Sequence, residues 1–592
     1  MTYPYLLPVR DMMFVIEDWL DALSTWRAVP EWADLDMATV EQILSEAGRF
    51  VAGRIAPLNA IGDAEGCRFD NGDVFMPTGF VSSYRAYVEA GWPLLAADEE
   101  LGGQNLPGLL EVALHEMLAG ANHAWLMSPG LSHGAVACLK AHASEEIKQA
   151  YLAKIASGEW LTTMCLTEPQ AGTDLGRIRT KALIDEDGNY RLTGEKIFIT
   201  GGEHDLTENI VHLVLARLPD ALPGSRGLSL FLVPKYLPSA NGMQRNSVTC
   251  DGIEKKMGLK ASPTCTMHFD NATGYLIGQA HGGLRAMFVM MNAARLQVAM
   301  QGVGHAESAR QRASAYAEER VQTRTPSHAG DDAPTPISHH PAIRRVLLDL
   351  RCTSEGERMI GYWVGEWIDK AARHPNRAER KQADAMASLL TPIAKAFFTA
   401  NGFNSASNAL QVFGGYGYMQ EYGVEQTVRD SRVSMLYEGT NEVQAVDLVL
   451  RKVLSDRGET LRSLLSIINE ESAALAKTGE NGAQISVVLS TLCFEMNEIT
   501  SAVIERSEDD KELPYRVADA YLSAAGWLLL SFAWARTWRI CVSRSGTDPF
   551  HADKISCSQY FFDFKVQEFF HCRRQVQACM DSRIPVLRSG RA

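Results

Sequence analysis

The sequence predicts a mainly α-helical protein with one β-rich domain inserted into it and a further helical domain at the C-terminal end. Three observations carry this. Apolar residues recur three and four apart from about Met37 to Trp160, short β-rich runs follow between Leu161 and about Gly283, and helical spacing returns from Leu284. A chain of 592 residues exceeds what one hydrophobic core organises, so several domains are expected. Its 46% hydrophobic and 22% charged residues are the composition of a folded globular protein.

Residues 1–36 read as an N-terminal extension. MTYPYLLPVRDMMFVIEDWLDAL is amphipathic and acidic, without the basic start and small-residue cleavage site of a secretory signal. In 37–160, VEQILSEAGRFVAGRI and LLEVALHEMLAGANHAWL have the spacing of a helical bundle. In 161–283, YRLTGEKIFIT, NIVHLVLARL, GLSLFLVP and CTMHFD are separated by Gly, Asn, Asp and Pro, as strands are. Residues 284–465 are helical again, interrupted by TRTPSHAGDDAPTPISHHP, an excursion between two helices. SAALAKTGENGAQ then reads as a linker or helix connection into a last helical domain, 466–592. The apolar run AAGWLLLSFAWA at 524–535 is too short to span a bilayer and is broken by a serine, so it is expected to be a core helix.

The net charge of -14 opposes binding to phosphate backbones and excludes nucleic acid as the main partner. The stretch Arg536 to Ala592 holds more Arg and Lys than acid and reads as a solvated or subunit-contact face. The eleven cysteines are scattered without a CxxC pair, which suggests neither a zinc site nor a disulfide framework and fits a reducing, cytoplasmic compartment.

Several motifs reduce to structure. Gly130-Leu131-Ser132-His133-Gly134 spells G-x-S-x-G, but helical residues precede it where a nucleophile elbow needs a strand. GVGHAE at 302–307 lacks the third glycine and the strand-to-helix context of a dinucleotide loop. His339 and His340 are adjacent and cannot readily face one metal, so no metal site is expected.

Three stretches are richer. MCLTEPQAGTDLG at 164–176 offers backbone N–H groups and hydroxyls to a polar ring edge or a pyrophosphate. KIFITGG at 196–202 puts Phe198 and Thr200 on one face of a strand. In LQVFGGYGYMQEYGVEQTVRDSRVSMLYEGTNEVQAV at 410–446, Gly414, Gly415 and Gly417 permit close approach of another group. There Glu438 precedes a helix marked by Val443, Val446, Leu450 and Val453, with Thr440 placed as its N-cap. Glu438 could be an acid favoured near a helix N-terminus. Its apolar approach, SMLY, points instead to a partly buried carboxylate able to take a proton near neutral pH.

LTEPQAGTD, KIFITGG, QVFGGYGY and YEGTNE, in this order, resemble the acyl-CoA dehydrogenase flavoproteins over roughly residues 40 to 455. The resemblance implies a helical bundle, a β-barrel domain and a second helical bundle around FAD. It implies that Glu438 removes the pro-R α-proton of an acyl-CoA thioester while the β-hydrogen leaves as hydride to flavin N5. It implies flavin contacts at Leu166, Thr167, Phe198, Ile199 and Thr200, with Thr173 bordering both flavin and CoA; Phe198 stands where the family more often has Trp. Arg320, Gln411 and Gly415 match residues reaching the pyrophosphate and adenosine of a neighbouring subunit's FAD, which requires an oligomer. Thr440 and Glu442 match positions near their own subunit's FAD. Asn292, Arg295 and Gly439 match substrate contacts. Some members carry the base on the helix of MMNAARLQ, but Ala293 and Ala294 stand at those positions.

The added ends resemble a long subgroup that includes 3-methylmercaptopropionyl-CoA dehydrogenase and bacterial fatty acyl-CoA dehydrogenases, which implies a homodimer. The leading expectation is FAD-dependent oxidation of a saturated acyl-CoA to its trans-2-enoyl-CoA in β-oxidation or related catabolism, with electrons passed to electron-transfer flavoprotein. An acyl-CoA oxidase returning electrons to oxygen, a flavin-containing DNA-binding relative and a thioesterase using Ser132 are the alternatives.

Overall fold

The computed structural model describes residues 3–239, 242–325, 334–544 and 548–585; residues 326–333 of the TRTPSHAGDDAPTPISHHP excursion lie outside them. By internal packing the chain divides into two compact units. One holds Pro4–Leu7 and Gln42–Gln297, the other Met1–Tyr3, Pro8–Glu41 and Val298–Ala592.

The first unit combines helices with the β domain. Helix α1 (Gly108–Leu126) is buried almost all round, as its apolar sequence dictates, and leaves helical geometry at Asn122. Helix α2 (Ser132–His142) follows a short turn at Pro129–Leu131. The β domain has strands β1 (Leu161–Cys165), β2 (Lys181–Ile184), β3 (Tyr190–Thr200), β4 (Ile210–Arg217), β5 (Leu228–Pro234), β6 (Val248–Ile253) and β7 (Thr264–Ile277). Antiparallel pairing runs β7–β3–β2 and β4–β5–β7, and one parallel pair, Lys181 with Arg217, joins β2 to β4. The ring therefore closes as a five-stranded barrel, with β6 added to β7 and β1 added in parallel to β4.

Strands β4 and β5 are buried on both faces, which explains their unbroken apolar runs. Val214, Ala216, Phe231 and Val233 fill the barrel with Leu192, Cys265 and Phe269. The alternate residues Val211, Leu213, Leu230 and Leu232 pack outward with Ala135, Leu139 and Met290.

The second unit is helical. It contains the later part of α3 (Gly283–Glu319), then α4 (Pro341–Arg373), α5 (Arg377–Phe413), α6 (Asn441–Asp447), α7 (Glu459–Leu475), α8 (Glu480–Asp509), α9 (Leu513–Arg544), α10 (Pro549–Tyr560) and α11 (Gln567–Asp581). Helices α3 and α5 cross where Gly302 meets Gly402; a Cβ on Gly402 would lie 2.6 Å from the Gly302 carbonyl oxygen. The N-terminal segment is built into this unit. Trp19 is fully buried, donates to the Ala533 carbonyl at 3.2 Å and packs edge-on to Trp363 and Phe532.

Three expectations change. The boundary placed at 465/466 falls inside α7, because Ser and Ala continue a helix readily; the break comes at Gly479, with φ 102°. The apolar run 524–535 belongs to a helix of 32 residues, long and apolar enough to cross a membrane, as is α8. Of the most apolar 18-residue window, 83% is buried in α9 and 39% in α8, so α9 has the surroundings of a core helix. The basic C-terminal stretch is not simply a solvated face. Arg539 pairs with Glu471, Lys554 with Asp11 and Glu355, Arg573 with Glu495, and Arg544 with Asp18, all within this unit.

Candidate active site

The helical unit positions Glu438 through its backbone. Thr440 caps α6, its hydroxyl accepting from the Val443 N–H at 3.4 Å, so the residues before it must turn sharply into the helix. Glu438 (φ 54°) and Gly439 (φ 81°) make that turn in the left-handed region. For a residue with a Cβ this conformation costs roughly 1–2 kcal/mol, so Glu438 keeps it only because its surroundings impose it.

Those surroundings are specific. Gln444 Nε2 donates to the Glu438 carbonyl at 3.0 Å, and Lys395 Nζ donates to the Gly439 carbonyl at 2.8 Å. Gly439 lies close to the same amide: a Cβ there would stand 2.7 Å from Gln444 Nε2. Before the turn, the Tyr437 hydroxyl and Ser434 Oγ both donate to Gln301 Oε1 of α3. The Glu438 residue is half-buried, between exposed Leu436 and buried Gln444. A hydrogen bond from Thr440, followed by its own backbone, lowers the carboxyl of exposed Glu442. Burial pushes up Asp519 of α9, and the charge of Glu442 adds to it.

The same unit places Arg320, Gln411 and Gly415 around one open pocket of about 560 Å³, together with Tyr316, Phe413 and Tyr416. Tyr316 and Phe413 stack at 4.2 Å, and the Arg320 guanidinium lies 5.5 Å from the Tyr416 ring centre. Positions where a Cβ on Gly414 or Gly415 would stand have no neighbour within 4 Å.

In the other unit, the 166–173 loop is fastened to β3. The Ile197 N–H donates to the Thr167 carbonyl at 2.9 Å, and Lys196 Nζ reaches the Leu166 carbonyl at 2.9 Å. Lys196, fully buried, also pairs with Glu168 at 2.9 Å. Glu168 accepts further from the Arg179 and Thr180 N–H groups and from the Thr180 hydroxyl. Burial works to raise its carboxyl, but the Lys196 charge and these donors hold it down to about 2. Leu166 and Thr167 are half-buried and Thr173 is exposed. Phe198 takes a left-handed conformation (φ 59°) and is 59% exposed, while Ile199 turns into the core and Thr200 is half-buried. Asn292 and Arg295 sit one turn apart on α3, joined by Arg295 Nη1 donating to Asn292 Oδ1 at 3.1 Å.

Glu168, Lys196, Lys395 and Gln444 are not singled out by any sequence motif. One signal existed for Lys395: it is the only charge in LLTPIAKAFFTA, an otherwise apolar and neutral stretch of helix. The serine motif fails structurally. Ser132 opens a helix that follows another helix, its Oγ is buried without a hydrogen-bond partner among the described residues, and His133 is bonded to Glu111 at 2.9 Å. Among the described residues no group of His, Cys, Asp or Glu could hold a metal.

Three sequence families match the chain in succession: acyl-CoA dehydrogenase N-terminal domain over residues 38–159, middle domain over 163–272 and C-terminal domain over 281–454. The chain belongs to the acyl-CoA dehydrogenase family. It is 45% identical to 3-methylmercaptopropionyl-CoA dehydrogenase of Ruegeria pomeroyi over 81% of this chain and 82% of that protein. It is 32% identical to the broad-specificity linear acyl-CoA dehydrogenase FadE5 of Mycobacterium tuberculosis over 94% and 95%. The fold is that of an acyl-CoA dehydrogenase from Bacillus anthracis solved with FAD, with a TM-score of 0.74, 22% identity and coverage of 94% and 90%.

This acyl-CoA dehydrogenase is an oxidoreductase that uses FAD. Its residues suit that group. The open pocket beside Gly414 and Gly415 has a guanidinium on its wall, which matches a pyrophosphate, and Phe198 displays an aromatic face beside the backbone-rich 166–173 loop.

Proposed function

We propose that this enzyme converts a saturated acyl-CoA to its trans-2-enoyl-CoA, with Glu438 as the base that takes the α-proton. The observation that carries the reading is the left-handed backbone at Glu438, held by donors to its own carbonyl and the next. Such strain in a half-buried acid belongs to a group whose direction matters, whereas an acid serving only a helix end gains nothing from it. An α-proton beside a thioester is weakly acidic, so a fixed carboxylate must work with a donor to the thioester oxygen; the backbone N–H of Glu438 is the donor assigned here. FAD, when bound, supplies the two-electron acceptor.

Leu166, Thr167, Phe198, Ile199 and Thr200 would hold the isoalloxazine, and Thr440 and Glu442 would stand near it. Thr173, Asn292, Arg295 and Gly439 are assigned to the substrate. Arg320, Gln411 and Gly415 are assigned to the pyrophosphate and adenosine of a neighbouring subunit's FAD, so the reading includes a homodimer and falls if the holoenzyme runs as a monomer. Electron-transfer flavoprotein is the proposed acceptor and the cytoplasm the proposed compartment. The decisive experiment is Glu438→Gln. Bound FAD is expected to remain while anaerobic bleaching of the flavin by acyl-CoA disappears; bleaching at the wild-type rate removes Glu438 from the mechanism.

A further inference from the structure

Lys395 is fully buried in α5, and two of its hydrogen bonds end on the loop that carries Glu438. One goes to the Gly439 carbonyl at 2.8 Å, the other to Asn441 Oδ1 at 3.1 Å. Asn441 returns a bond to the same helix, its Nδ2 donating to the Ala396 carbonyl at 3.0 Å, while the Thr399 hydroxyl donates to Asn441 Oδ1 at 3.2 Å. One face of α5 thus grips the first residues after the base. From α6, buried Gln444 holds the Glu438 carbonyl. The same amide could not be reversed, since its oxygen would then face that carbonyl.

The grip is itself supported. Phe397, two residues after Lys395, packs edge-on against Trp527 of α9 with ring centres 5.2 Å apart, and a Cβ on Gly526 would stand 2.4 Å from its ring. A buried ammonium is costly and flexible lysines seldom sit wholly inside a helix bundle, so its use on a peptide carbonyl needs a reason.

We propose that Lys395 and Gln444 are positioning residues that hold Glu438 in its left-handed conformation and so fix the direction of its carboxylate toward the α-carbon of the substrate. The inference rests on Glu438 being the base. Lys395 holds the Gly439 carbonyl, one peptide beyond the Glu438 carbonyl that Gln444 holds, so neither needs to contact substrate. Without either bond the backbone can relax to the right-handed region that a glutamate prefers, which swings the side chain away. Misplacing a reacting group by an ångström can cost about a hundredfold in rate.

The test uses Lys395→Met and Gln444→Met, unbranched replacements that remove the N–H donors of each side chain, in the FAD-loaded enzyme. Two measurements are made. One is flavin reduction as a function of acyl-CoA concentration. The other is exchange of α-hydrogen with deuterated solvent in a bound 3-thia-acyl-CoA, whose sulfur at the β position blocks dehydrogenation, so the proton step is read alone. Each variant is expected to lose at least about thirtyfold in the limiting rate and in α-exchange, with FAD content and the acyl-CoA concentration for half-maximal rate within about twofold of wild type. Wild-type exchange, or a loss expressed only in substrate affinity or FAD content, overturns the proposal. Should Lys395→Met not fold, Gln444→Met decides alone. Glu438→Gln runs beside them: if it exchanges normally, the base itself is misassigned, whereas its loss with intact exchange in both other variants ends only the positioning role.

Discussion

Each unit of the molecule contains a fully buried lysine that fastens a loop, and the two lysines are used differently. Lys196 is matched by the Glu168 carboxylate, which also gathers two backbone N–H groups and a hydroxyl. Lys395 donates to a peptide carbonyl and an amide oxygen. The first arrangement is a charge pair that locks the 166–180 loop onto β3. The second places a donor on a backbone that would otherwise relax. The contrast separates a residue needed for stability from one needed for geometry.

The largest expected effect comes from breaking the charge pair. Lys196→Met would leave Glu168 buried without its cation, which costs about 3–5 kcal/mol, whereas Lys395→Met removes a donor from the neutral Gly439 and Asn441 oxygens at about 1–3 kcal/mol. Thermal midpoints of the two variants should therefore fall in that order, while catalytic rates fall in the opposite one. Equal midpoints would erase the distinction.

Acid offers a gentler test. The Glu168 carboxyl is depressed to about 2 when folded, below the 4.5 usual for a glutamate, so its contribution is present above about pH 4.5 and is lost as pH falls toward 2. Hydrogen exchange, corrected for intrinsic rate, should show the Arg179 and Thr180 amides losing protection over that window. The Gly439 and Asn441 oxygens that Lys395 holds do not titrate.

The smallest effect belongs to Thr440→Ala. It removes the α6 cap and is expected to cost about 1 kcal/mol, read as a small drop in thermal midpoint, because Gln444 and Asn441 still hold the turn.

How legible these features were in the sequence follows from their physics. Thr440 as N-cap could be read because a hydroxyl before a run at helical spacing is a local signal. The strands β4 and β5 could be read as strands, since apolar runs bounded by turn residues survive without tertiary knowledge, but their closure into a ring through one Lys181–Arg217 pair could not. Glu438 was singled out by its apolar approach and the motifs around it, yet its left-handed backbone is a product of Gln444 and Lys395, six residues ahead and 43 behind. Lys395 and Lys196 were passed over because a lysine is ordinarily a surface residue. The basic C-terminal stretch misled for the same reason: its partners Asp11 and Asp18 lie more than 500 residues away.

That last separation bears on how the protein is made. The packing of Trp19 is completed only when Phe532 and Ala533 exist, the latter 514 positions after it. At ribosomal speeds of about 5–20 residues per second, this interval is roughly 25–100 s. Throughout it, Phe14 and Trp19, both buried in the finished unit, lack the rings of Phe550 and Phe532 against which they pack. This segment is thus synthesised long before the surface that completes it, and a chaperone that shields short apolar segments has the whole of that interval in which to act.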